Sequence, residues 1–106
     1  MFHPDTQIEM ENGGTKSICK IRVGDETKGG LVIAVLRDAY TEFYWYGGVL
    51  VTGEQRVKED DEWVVVKDSK NARLFKYLTE VGCDLVTDQH SVWANGFEFA
   101  DEQVRI

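Results

Sequence analysis

The feature that most constrains this chain is its hydrophobic period. Apolar residues recur at every second position and almost never at the three-to-four spacing of a helix, which is the pattern of half-buried strands. Thr6-Gln7-Ile8-Glu9-Met10 alternates, Asn12-Gly13-Gly14 supplies residues that accept positive φ, and the alternation resumes from Thr15 to Ile18. That is a hairpin signal. A second turn is expected at Gly24-Asp25-Glu26 and a strand over Leu31 to Leu36. Thr41 to Thr52 is aromatic and β-branched with Gly47-Gly48 in its middle, marking a bulge, a bend or a tight turn. Glu62 to Lys67 reads as another strand, and Asp84 to Thr87 is followed by a strand pair hinged at Asn95-Gly96. The one helical hint is Ala72, Leu74, Phe75 and Leu78, enough for a short turn. Pro4 stands before the first strand, where it removes no ladder donor. The expectation is an all-β fold of eight to ten short strands in a curled or barrel-like sheet, one domain over residues 1–106.

Bulk properties exclude several functions. A net charge of −7 argues against binding duplex nucleic acid, which wants a basic patch. The one acidic run, Glu59-Asp60-Asp61-Glu62, reads as a solvated loop, not the spread of acids a DNA mimic needs. No apolar run approaches the roughly 18–20 residues of a membrane span, and the N-terminus lacks the layout of a secretion signal. Two histidines, His3 and His90, with scattered acids give no recognisable metal-ligand spacing. Cys19 and Cys83 make no disulfide framework, and Cys19 reads as a small buried residue in a strand. Trp45, Trp63 and Trp93 read as core anchors.

Three segments in order carry a family likeness: "FHPDTQIEMENGGTKSICKIRVGD" (residues 2–25), "GGVLVTGEQRV" (residues 47–57) and "CDLVTDQHSVWANGFEF" (residues 83–99). Together they resemble the Hint family, the self-processing modules of hedgehog proteins and inteins, and are most similar to compact versions met in phage structural proteins. The resemblance spans nearly the whole chain. It implies a compact horseshoe-like fold, no cofactor and no metal, and a substrate that is the module's own flanking polypeptide. It also implies a module that starts abruptly inside a longer protein, acts as a monomer on itself and works in the cytoplasm of a bacterial or phage-infected cell. Exposed strand edges leave pairing open.

In that family a cysteine or serine at position 1 attacks the carbonyl before it and converts a peptide bond to a thioester or ester. Such exchange needs a nucleophile, a proton for the departing amine and help for an oxyanion. The family's "T-x-x-H" motif matches Thr52-Gly53-Glu54-Gln55 here, and its aspartate and histidine toward the C-terminus match Asp84 and His90. The site residues implied are therefore Met1, Thr52, Gln55, Asp84 and His90. Two of them depart from the pattern. The Met1 thioether has no proton to lose, and Gln55 can hydrogen-bond but cannot shuttle a proton at neutral pH. Both point to a chain that keeps the fold and has lost the reaction. The end, "ADEQVRI", also lacks the asparagine that splicing members cyclise, so cleavage at the N-terminal junction is the most that a parent could perform.

Plainer readings of the same residues stand beside these. Asp84 can cap a turn after Gly82, His90 can be a partly buried histidine beginning a strand, and Thr52 ends a strand where β-branched residues belong. His3-Pro4-Asp5 can be a simple turn. Cys83 offers a rival nucleophile, provided that its thiol pKa is lowered. The alternative function is a non-catalytic all-β structural or interaction domain of a phage protein. A processing module should gather residue 1, Thr52, Gln55, Asp84 and His90 around one point, whereas an interaction module should show an exposed apolar patch elsewhere.

Overall fold

The computed structural model describes residues 1–102, with the side chains of residues 40, 41 and 76–80 left aside. Ten strands and two 3-10 turns make up the regular structure: β1 (Gln7–Glu9), β2 (Thr15–Ser17), β3 (Glu26–Thr27), β4 (Gly30–Tyr46), β5 (Val49–Thr52), β6 (Arg56–Glu59), β7 (Glu62–Val65), β8 (Ala72–Thr87), β9 (Ser91–Ala94) and β10 (Phe97–Ala100). The turns are Ile18–Lys20 and Val66–Asp68. The all-β expectation holds, but two strands are long. β4 has 17 residues and β8 has 16, and they pair antiparallel along nearly their whole length.

The long pair changes the reading of two stretches. Ala72, Leu74 and Phe75, taken as a helical hint, lie in β8, where pairing with β4 decides their conformation. The side chain of Leu78 lies outside the described residues. Glu62 to Lys67 is strand only as far as Val65 before it tightens into a 3-10 turn. Register shifts at Val32/Ala34, Tyr40/Glu42 and Phe43/Tyr44 interrupt the β4–β8 ladder. Such irregularities bend a ribbon, so a pair too long to lie flat can curl around the rest of the molecule.

β5 flanks β4 on one side through Phe43–Tyr46, and β3 joins the start of β4. The second sheet has the order β2-β1-β9-β10-β6-β7. Between the sheets lies one core of Phe2, Ile8, Val32, Val51, Val57, Leu85, Val92 and Phe99, each at most 1% exposed. Three expected core anchors are not in it. Trp45 is 38% and Trp63 44% exposed, and Trp93 is half-buried beneath the Lys28 ammonium. The indole faces of Trp63 and Trp93 carry lysines at 5.4 and 4.2 Å, so each ring shields its sheet from the outer side. Cys19 is half-buried within a 3-10 turn, not buried within a strand.

Candidate functional site around the nitrogen of residue 1

The N-terminal residues run between β5 and β8 and are bridged to both at Phe2. Phe2 donates its N–H to the Cys83 carbonyl at 2.7 Å and accepts from the Cys83 N–H at 2.8 Å. On the opposite side the Thr52 N–H donates to the Met1 carbonyl at 2.9 Å, and the His3 N–H donates to the Leu50 carbonyl at 3.0 Å. Four backbone bonds thus hold residues 1–3 between β5 and β8. The Phe2 ring is fully buried and meets Phe99 edge-on, centroids 5.2 Å apart. His3-Pro4-Asp5 then turns the chain, with the Thr6 N–H on the His3 carbonyl.

This stitching fixes where the nitrogen of residue 1 sits. It lies 3.1 Å from Thr52 Oγ1, 2.5 Å from Gln55 Oε1 and 3.2 Å from Asp84 Oδ2. Thr52 and Gln55 approach together because a turn joins them, the Gln55 N–H donating to the Thr52 carbonyl at 3.1 Å. Gly53 inside that turn has no room for a side chain: a Cβ there would come within 2.8 Å of the Tyr44 ring. Gln55 cannot swing, since its Nε2 donates to the Ala100 carbonyl at 2.7 Å, which aims Oε1 at the nitrogen. Asp84 reaches in from β8. Its Oδ1 accepts the Leu85 N–H at 2.8 Å, while the buried Oδ2 faces the Met1 ammonium. Burial pushes the Asp84 carboxyl up from an ordinary 3.8 to about 6, against the pull of the Met1 ammonium and the Leu85 N–H.

Met1, Thr52, Gln55 and Asp84 are therefore brought together, and His90 is not. His90 adopts positive φ (59°) in the turn before β9, and its ring is half exposed. Its Nδ1 lies 3.1 Å from Asp101 Oδ2, which also accepts the Thr87 N–H. A reading of His90 as the first residue of a strand is corrected by this turn. Its link to the cluster runs along the chain, since Asp101 follows Ala100, whose carbonyl orients Gln55. Asp101 and that carbonyl escaped the sequence reading. An acid after a strand and a backbone oxygen carry no signal in sequence.

Cys83 lies beside the cluster but is not prepared as a nucleophile. It is buried, and burial pushes its thiol up, opposite to what a reactive cysteine requires. The acidic run is half wrong as a solvated loop. Asp60 and Asp61 form an exposed turn, but Glu59 accepts from Tyr46 Oη at 2.5 Å, Ser69 Oγ at 2.7 Å and Asn71 Nδ2 at 3.1 Å. The Tyr46 hydroxyl, then Asn71 and Ser69, hold the Glu59 carboxyl below the usual range. A separate open groove of about 690 Å³ adjoins residues 3–9 and is lined by His3, Asp5, Glu9, Trp45 and Asn95 among others. It does not include the four clustered residues. Among the described residues no group of three or more His, Cys, Asp or Glu could hold a metal, and no helix is long and apolar enough to cross a membrane.

No family model and no curated protein matches the chain. Solved structures do. The gp41-1 intein superposes with a TM-score of 0.73 at 12% identity, covering 94% of this chain and 97% of the other. The MchDnaB-1 intein gives 0.77 at 11% identity over 95% and 100%. The AceL NrdHF class 3 split intein, in a GSH-linked splice-inactive form, gives 0.64 at 12% identity over 97% and 98%. At such identities the likeness is one of fold, and it runs end to end: this chain has the compact all-β Hint-type fold of the inteins.

Proposed function

We propose that this chain is a self-processing module of the Hint and intein class whose reaction at its own N-terminal junction is disabled by Met1 and Gln55. The observation that supports the reading is the convergence of Thr52, Gln55 and Asp84 on the buried nitrogen of residue 1. That nitrogen is the leaving atom of the reaction. In a chain with a thiol at position 1, sulfur attacks the carbonyl carbon of the preceding residue and the carbon–nitrogen bond breaks. The thiol proton is lost and the nitrogen gains one, so amide plus thiol become thioester plus amine. Asp84, with Oδ2 3.2 Å from the nitrogen and its carboxyl near 6, is placed to give that proton, and Thr52 to hydrogen-bond at the junction. Met1 offers no proton and no acyl acceptor. Gln55 accepts a hydrogen bond where the family's histidine would exchange a proton. His90 acts in this reading through Asp101 and not at the nitrogen.

The test is intact mass spectrometry of the chain extended by about ten upstream residues, as Met1→Cys with and without Gln55→His, with and without a thiol reductant. Thiol-dependent loss of the upstream peptide is expected in the double variant and little in Met1→Cys alone. In the active background, Asp84→Ala should slow release by roughly 10²-fold or more, and His90→Ala by much less. No cleavage in the double variant would favour a retired scaffold or an interaction domain. That alternative draws on the exposed pair Trp45 and Phe75, ring centroids 6.2 Å apart.

A further inference from the structure

The cluster around residue 1 has a chemical preference that does not depend on whether it cuts. Three oxygen atoms lie within 3.2 Å of one nitrogen, and each is an acceptor as it is held. Gln55 presents its carbonyl oxygen because the amide nitrogen is committed to Ala100. Asp84 presents a carboxylate oxygen that faces the Met1 ammonium at 3.2 Å, in a side chain 1% exposed. Thr52 presents its hydroxyl oxygen. A primary ammonium brings three hydrogens and one positive charge to three acceptors and one carboxylate. A peptide N–H brings one hydrogen and no charge, so two of the three acceptors go unpaired and the carboxylate has no counter-charge.

We infer that Thr52, Gln55 and Asp84 form a cradle for a primary ammonium at position 1, so that the fold favours a free N-terminal amine over an amide at that nitrogen. The cradle uses the side chains of the proposed reaction but concerns which state of the junction the fold prefers. For a self-processing module it draws the junction toward the released amine. In a chain whose position 1 is a free methionine it is an anchor that any acylation of the α-amine dismantles. The glutamine at position 55 belongs to this function: fixed by Ala100, it is a permanent acceptor, whereas a histidine would lose that ability on protonation.

The test compares folding stability, not cleavage, so a failure of the reaction leaves it intact. The chain with a free Met1 amine is measured against the same chain acetylated at that amine, by urea denaturation, each also as Asp84→Asn. Acetylation should lower the folding equilibrium constant at least tenfold, and Asp84→Asn should remove most of that penalty, because the lost ion pair is its source. Cyanate should also label Met1 at least tenfold more slowly than the exposed lysines in the folded chain. Equal stability of the free and acetylated chains would overturn the inference. A penalty that persists unchanged in Asp84→Asn would overturn it too, since bulk and not charge would then be responsible.

Discussion

At the scale of single residues, the chain concentrates its unusual chemistry in Asp84. A carboxyl raised to about 6 by burial binds a proton in the folded state where the unfolded chain, near 3.8, does not. The folded state then holds more protons than the unfolded state between those values, so this group's contribution to stability is full below about 3.8 and falls as pH rises toward 6. Asp25 and Glu59, whose carboxyls are lowered by Lys16 and Tyr46 first among their partners, contribute with the opposite sign. A difference measurement removes them. The stability of Asp84→Asn relative to the parent, from urea midpoints between pH 3.5 and 7, should rise through that window and level off above it; a flat difference would rule the assignment out. Thr52, Gln55 and Asp84 could be singled out only through the family resemblance, which matched them to its motifs; in the fold two sit across one turn and the third lies opposite Leu36 on a paired strand. His90 was legible as a residue and not as a position. Its place depends on the path of the chain after Ala100, which no local pattern encodes.

At the scale of elements, hairpin turns were the most readable part and the long ribbon the least. Three hairpins have two-residue turns with both residues at positive φ: Gly47 and Gly48 at 51° and 84°, Asp60 and Asp61 at 50° and 64°, and Asn95 and Gly96 at 49° and 81°. This geometry matches the right-handed twist of the flanking strands. Two of the three use the residues that the geometry favours: Asn95-Gly96 reads from sequence as the hinge of a strand pair, and Gly47-Gly48 as a bulge, a bend or a tight turn, of which the fold takes the last. The third was hidden in an acidic run, because aspartate tolerates the left-handed region without announcing it. The consequence is a specific stabilisation. Asp61→Gly should raise stability by about 0.5–1 kcal/mol in thermal unfolding, relieving a strained residue in a turn that prefers Asp-Gly. Gly96→Ala should lower it by about 1–2 kcal/mol for the converse reason. If both changes were neutral, turn conformation would not limit these hairpins. The β4–β8 ribbon escaped because its evidence is non-local. Leu74 and Phe75 are consecutive and both exposed, which breaks the two-residue alternation, and the strand state there comes from partners some thirty residues away, on the order of the separation between Tyr44 and Leu74.

At the scale of the whole molecule, residues 1–3 are one of the links between the two sheets, beside the Met10–Thr27 bridge between the end of β1 and β3. The Phe2 backbone is paired with Cys83 and bridges to Val51 in the β4 sheet, while its ring packs on Phe99 in the six-stranded sheet. The nitrogen one residue earlier meets side chains from β5, the turn after it, and β8. The cluster around residue 1 is held in place because the next residue, Phe2, is part of the core. It follows that the two sheets should unfold together, and that Phe2 should govern both. Trp45 on β4 and Trp63 on β7 report on one sheet each. With Trp93→Phe as background, the Trp63→Phe and Trp45→Phe variants leave one probe apiece. Their fluorescence midpoints in urea should coincide, and Phe2→Ala should move both down together, by about 3–5 kcal/mol for a fully buried aromatic. Midpoints that separate, or a Phe2→Ala change confined to the Trp45 probe, would mean that the sheets are independent. Residues 1–3 would then be a guest on one of them, and the placement of Asp84 against residue 1 would not depend on the six-stranded sheet.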